Sequence, residues 1–198
     1  DLFAILSEMC YNNIERGVTA VYFEPYLIRR RDGAHVAASI EPATQADLEQ
    51  TRQQPHWQTD WTSDYLADPA IEKYALKTGE QQLAALGAYR VVGRQAYVYI
   101  VYVESAPSSN PTLTAKPQRE YDGVGEVMLA FGIKFSIDSG CRGDILFEAK
   151  TDELAEHYAR DFRARPVAGL PGGPKRFMLA DEDAWRLFSK FLTEEDAE

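Results

Sequence analysis

Cysteine is nearly absent from this chain: Cys10 and Cys141 are the two among 198 residues. They lie far apart and match no metal-ligand or redox spacing, so both read as incidental or buried thiols. Scarce cysteine suits a reducing cytoplasm, the expected location. With only three histidines, no His/Cys/carboxylate cluster has metal spacing, and no metal is expected. Nor does a Ser/His/Asp or Cys/His arrangement stand out. Positive charge is in deficit as well: 21 Lys and Arg face 31 Asp and Glu, for a net charge of −10 and a pI near 4.8. That balance argues against a phosphate-backbone surface, hence against nucleic acid, and suits a cationic substrate. No stretch approaches the roughly 18 to 20 apolar residues of a membrane span, and no signal-peptide pattern is visible. Internal repeats are missing too. The chain begins at Asp1 rather than Met, as a piece of a longer protein would.

What is present is enough for a core. Hydrophobic residues make up 45% and aromatic residues 12%, including eleven Tyr, which excludes a disordered chain and predicts one domain, with or without a short appendage. Leu2, Phe3, Leu6, Met9 and Ile14 predict a helix over 1–17, closed by Gly17. Residues 19–30 read as extended, Asp32-Gly33 as a hairpin turn, and 35–40 as a strand. Thr44 caps a helix over 45–53 that Pro55 closes. Turn signals at Lys77-Thr78-Gly79-Glu80 separate a strand over 72–77 from a second over 82–92. Tyr97, Val98, Tyr99, Ile100, Val101, Tyr102 and Val103 form a continuous β-prone run, the mark of a central strand over 96–104. A helix over 126–139, a strand over 144–149, a helix over 152–162, a strand over 175–179 and a helix over 182–192 capped by Asp181 complete the pattern. The acidic tail reads as solvated. Strand meander followed by strand–helix–strand–helix–strand is α/β with a mixed sheet.

The most informative stretch is Glu120-Tyr121-Asp122-Gly123-Val124-Gly125, between the strongest strand and the longest helix. Glycines there let backbone amides approach a ligand, and the following helix favours an anion. The other reading is a tight strand-to-helix turn and nothing more.

At this point the chain resembles the GNAT-type N-acyltransferases. Ile40-Glu41-Pro42-Ala43-Thr44 with Ala46-Asp47-Leu48 is similar to their opening strand and first helix, and the meander over 72–104 to their second to fourth strands. Glu120–Gly125 stands where they carry Gln/Arg-x-x-Gly-x-Gly/Ala. Glu156-His157-Tyr158 ahead of Phe162 resembles their fourth helix, and Arg176-Phe177-Met178-Leu179 a closing strand. The resemblance runs from about residue 35 to 192. It implies a mostly antiparallel GNAT-like sheet over 35–198 and makes 1–34 an added helix and strand. Glu120 replaces the usual Gln or Arg, and Asp122 stands at a position that is often basic; both oppose a diphosphate.

The resemblance further implies acetyl-coenzyme A as cosubstrate. Val101 and Val103 would contact its pantetheine arm through backbone atoms, and Tyr121, Asp122, Gly123, Val124 and Gly125 would hold its diphosphate. An amide near Val103 would polarise the reacting carbonyl. Glu104 would deprotonate the acceptor ammonium, or else is a structural glutamate bonding loop amides. Tyr158 would protonate the departing thiolate, or else is a packed aromatic; His157 reads as a surface neighbour. Trp57, Asp60 and Trp61 fall where an acceptor-covering loop is expected, with aromatic faces beside a carboxylate, or as plain packing. Arg29, Arg30 and Arg31 read as a solvated strand end.

The expected function is thus N-acetyl transfer to a small-molecule or protein amine, by direct attack in a ternary complex. Neither a nucleic acid nor a membrane is expected as partner, while a homodimer is compatible. Its rivals are a GNAT-like binding or regulatory module without transfer activity, motivated by Glu120 and Asp122, and one half of a larger protein whose other domain supplies the activity.

Overall fold

Pro25 has no amide hydrogen to give a sheet, and it interrupts the β-prone run over 19–30. Two strands result, β1 (Ala20–Phe23) and β2 (Tyr26–Arg29). The structure is a computed structural model and describes residues 20–169 and 171–195. The helix expected over 1–17 lies outside them. The described residues form two units that interleave along the chain, one over 25–90 and 100–131, the other over 20–24, 91–99 and 132–195.

In the first of these, β2 pairs antiparallel with β3 (Ala34–Pro42) across the expected hairpin, and Gly33 takes φ +71° at the turn. The expected boundary after residue 34 therefore falls inside a hairpin. Helix α1 (Gln45–Gln50) opens on a capping box: Thr44 Oγ1 accepts from the Asp47 amide, and the Asp47 carboxylate accepts from the Thr44 amide. It ends three residues earlier than expected. Strands β4 (Glu72–Thr78) and β5 (Leu83–Val92) stand where the two strands over 72–77 and 82–92 are expected.

A Cβ on Gly87, within β5, would lie 2.5 Å from Met128 Cε and 2.6 Å from the Tyr89 ring. Its absence lets the buried Tyr89 hydroxyl donate to the Met128 carbonyl at 2.9 Å, which fixes the long helix against the sheet. The order in this unit is β7-β2-β3-β4-β5-β6, where β6 is Tyr97–Ser105 and β7 is Tyr121–Asp122.

Three side chains tie β3, β4 and α1 together. Lys77, 9% exposed, donates to Glu41 at 2.8 Å and to Asp47 at 3.0 Å. Burial works against ionising Asp47, yet the Thr44 hydroxyl and amide and the Lys77 ammonium outweigh it and leave the carboxyl below its ordinary range.

In the other unit, residues 97–99 of β6 run parallel to β8 (Ile145–Ala149), with Val98 opposite Ile145 and Tyr99 opposite Leu146. Strand β10 (Lys175–Leu179) pairs antiparallel with β8, and β9 (Arg165–Val167), unforeseen from sequence, pairs with β10. Between β6 and β8 runs α2 (Val124–Asp138), which ends at Gly140 with φ +78°. Helix α3 (Asp152–Asp161) is capped by Thr151. Helix α4 (Asp181–Phe188) is not capped by Asp181 as expected; Ala180 takes the cap position and Asp181 the first helical one, at φ +54°. The acidic tail is not simply solvated, because Leu192–Glu195 forms β11 against β1. Phe23 stacks on Phe188 at 5.6 Å and meets Phe191 edge-on at 6.2 Å, anchoring that ribbon. The result is a mixed, mostly antiparallel sheet with helices, as the resemblance implies. No helix among the described residues is long and apolar enough to cross a membrane.

Candidate functional site

The end of β6 collects more polar contacts than its apolar sequence suggests. Glu104 is 3% exposed. Its Oε1 accepts from the Gln58 amide at 2.5 Å and its Oε2 from Trp61 Nε1 at 3.2 Å. Two residues earlier on the strand, the Tyr102 hydroxyl accepts from Thr59 Oγ1 at 2.7 Å. Gln58 in turn accepts from Asn110 Nδ2 at 3.3 Å. The segment 55–66, which ends in a 3-10 turn over Asp64–Leu66, is thereby held on the strand end. Among the described residues no cationic side chain partners the Glu104 carboxylate. A buried carboxylate held by neutral donors alone is costly relative to an ion pair, so a cation arriving there would be favoured.

Trp57 and Trp61 are 8% and 0% exposed and pack with Leu48, Leu66, Leu83 and Leu86 in one apolar cluster. They do not offer their faces to an acceptor. Asp60 is engaged by the Thr62 hydroxyl and amide and lies 3.7 Å from Arg52. Plain packing is therefore the outcome for the two tryptophans, and Gln58, Thr59 and Asn110 are the polar residues that sequence reasoning missed. Nothing in their spacing signals it, since the contacts join segments about fifty positions apart.

Val101 covers the same apolar cluster with its side chain, and Val103 is half-buried. Ala106 donates to the Ala84 carbonyl in β5 at 2.8 Å.

The glycine loop is reached after a long excursion, but that excursion closes on itself. The Glu120 amide donates to the Ser108 carbonyl at 2.9 Å and the Tyr121 amide to Ser109 Oγ at 3.0 Å. The intervening residues form a loop with its ends together, so the motif still begins at the end of β6. Within the motif the roles divide. Tyr121 is buried with its amide already bonded to Ser109, so it serves the scaffold and does not present that amide to a ligand. Asp122 pairs with Arg30, and Glu120 accepts from Gln82 Nε2 at 3.0 Å. Both carboxylates that oppose a diphosphate thus have partners.

Gly123 takes φ +85° and its carbonyl accepts the first bond of α2, from Val127 at 2.9 Å. The helix starts at Val124, two residues earlier than expected, so Gly125 lies in its first turn rather than in the loop. Helix geometry leaves the amides of Val124 and Gly125 without intrahelical acceptors. A Cβ on Gly123 or Gly125 would meet nothing within 4 Å. The loop is therefore an open backbone surface at a helix N-terminus, of the form that takes an anion.

The basic run 29–31 is not simply solvated. Arg29 forks onto Asp32 at 2.9 to 3.2 Å, and Arg30 leaves the turn toward Asp122.

Tyr158 belongs to the unit containing 132–195. Its ring meets Phe147 edge-on at 4.9 Å and Phe177 at 5.9 Å, and it lies parallel to Phe162 at 6.2 Å. Burial pushes its phenol pKa up, so the hydroxyl keeps its proton at neutral pH. His157 is half-exposed and holds Asp161 through Nδ1, consistent with a surface neighbour. Among the described residues no group of His, Cys, Asp and Glu could hold a metal ion.

No protein-family model matches the chain, and no curated protein matches it in sequence. Solved structures do match in fold. A variant of SpeG spermidine N-acetyltransferase from Vibrio cholerae superimposes with a TM-score of 0.52 at 11% identity, over 75% of this chain and 96% of that one. The spermidine N-acetyltransferase of the same organism in complex with CoA and spermine gives 0.52 at 11%, over 75% and 98%. A dodecameric structure of that enzyme in an intermediate state gives 0.50 at 10%, over 72% and 93%. With β3, β4, β5 and β6 as its antiparallel meander, β8 parallel to β6, and α2 entered through a glycine turn, the chain has the fold of the GNAT-type N-acyltransferases.

Proposed function

We propose that the chain is an acetyl-coenzyme A-dependent N-acetyltransferase acting on a cationic amine. The observation that carries this reading is the buried Glu104 carboxylate, held at the end of β6 by neutral donors alone. An ammonium is the group that such a carboxylate would bind and deprotonate, because amine attack needs a free lone pair. Bound acetyl-coenzyme A would supply the activated acyl group.

The residues present fit that cosubstrate. The open backbone at Gly123, Val124 and Gly125 supports a diphosphate there. Val101 and Val103 are assigned main-chain contact with a pantetheine arm, and an amide near Val103 the polarisation of the acyl carbonyl, a reading supported by the fold shared with the CoA-bound neighbour. Asp122 contributes through Arg30 rather than directly. Tyr158, with its phenol kept protonated, is assigned the proton that the leaving thiolate takes up. Turning the ammonium into an amide releases two protons: Glu104 accepts one, and the other restores Tyr158 after it has protonated the thiolate, so the exchange balances.

The neighbours that bind CoA and spermine share the fold, and they support the donor and the amine class without fixing the acceptor. Assembly into a homo-oligomer is part of the same reading, supported by the dodecameric neighbour. Single-turnover assays with acetyl-coenzyme A and a panel of alkyl diamines test the reading. Acetyl transfer that Glu104→Gln suppresses is expected. Binding of the donor with no transfer to any amine would favour the inactive binding module instead.

A further inference from the structure

We infer that Arg30, which directly follows β2, is the cationic ligand of the donor's diphosphate at the glycine loop. This rests on the reading of Gly123–Gly125 as the diphosphate loop. That loop has a charge problem of its own: Glu120 and Asp122 flank it in a chain of net charge −10. A diphosphate at such a loop needs a nearby cation, by Coulomb's law.

The neighbouring arginines differ in where their charge is spent. Arg29 is committed to Asp32 through both Nε and Nη2. Arg119 turns its Nε to the Thr114 carbonyl at 3.2 Å, inside the closed excursion. Arg30 alone of these three is aimed at the motif, donating through Nη1 to Asp122. Its backbone is fixed there as well. Strand β2 pairs with β7 at Ile28–Asp122 and Arg29–Tyr121, and the Arg30 amide donates to the Glu120 carbonyl at 3.0 Å. Its side chain is 24% exposed, against 41% for Asp122. A guanidinium has five N–H donors in a planar fork, and its pairing with Asp122 uses one, so phosphate oxygens can be met by the others.

The pair then has two functions. Before the donor binds, Asp122 holds Arg30 in place. Once the donor binds, Arg30 shares its fork between Asp122 and the diphosphate, and the first motif position no longer needs the Gln or Arg that Glu120 replaces.

The test is calorimetric titration of the intact chain with coenzyme A and, separately, with pantetheine, which has no phosphate. Arg30→Gln should weaken coenzyme A about tenfold, the scale of one charge-assisted hydrogen bond, and leave pantetheine unchanged. Asp122→Asn should tighten coenzyme A, since it removes a repelling charge and frees the fork; this variant keeps the test decisive if Arg30→Gln unfolds. Coenzyme A affinity unchanged in folded Arg30→Gln, or weakened in Asp122→Asn, overturns the role of Arg30 while the loop reading stands. Wild-type chain that binds pantetheine and coenzyme A equally overturns the loop reading, and the role of Arg30 with it.

Discussion

Trp61 and Glu104 stand 43 positions apart in sequence and share a buried hydrogen bond, indole Nε1 donating to carboxylate Oε2 at 3.2 Å. With the Gln58 amide on the other oxygen, the bond makes one side chain both the anchor of segment 55–66 and the candidate base. The two roles separate by substitution. Glu104→Ala strands two buried donors and should lower stability by about 1–3 kcal/mol in urea unfolding. Glu104→Gln keeps the volume and one acceptor, so it should cost less stability and yet reduce turnover about a hundredfold.

Tyr158→Phe removes a hydroxyl and leaves the ring among Phe147, Phe162 and Phe177. Its melting temperature should hold, donor affinity should stay within about twofold, and turnover should fall about tenfold or more. Unchanged turnover would return Tyr158 to packing alone.

Gly123 and Gly125 should diverge. Gly123 sits at φ +85°, where any Cβ is strained, so Gly123→Ala should destabilise by about 1 kcal/mol. Gly125 is helical with open space around it, so Gly125→Ala should stabilise by roughly 0.5–1 kcal/mol. Donor affinity should drop in both, because each Cβ would stand where the diphosphate approaches. Thermal melts paired with titrations separate the two effects.

Acid should expose the cluster of Asp47, Thr44 and Lys77. The folded pKa of Asp47 lies below its unfolded value, so its stabilisation is full above the ordinary carboxylate range near ~4 and is lost as pH falls through the folded value. Wild type should therefore lose more stability than Asp47→Asn between about pH 6 and pH 3, as read by chemical unfolding at each pH.

The sequence made the meander, the central strand and the long helix legible because turn signals and β-branched or aromatic runs are local. Thr44 with Asp47 and the Lys77–Glu80 turn are examples. What it hid is carried by pairing between distant segments. Leu192–Glu195 looks like an acidic tail until Phe23 meets Phe188 and Phe191. Arg30 looks solvated until β2 pairs with β7. Asp181 fails as a cap because its backbone enters the left-handed region. Glu104 as a candidate could be named from its place at the end of the central strand and Gly123 from its turn, but the buried tryptophans and the bonded Tyr121 amide depend on tertiary contacts that no spacing encodes.

The proposed function requires acetyl-coenzyme A to bind through the glycine loop that opens α2. Calorimetric titration of the wild-type chain with acetyl-coenzyme A, repeated with Gly123→Glu, tests it most directly. Saturable one-to-one binding that Gly123→Glu abolishes is the predicted result. Absence of binding at millimolar ligand, or equal affinity in the folded variant, would contradict it.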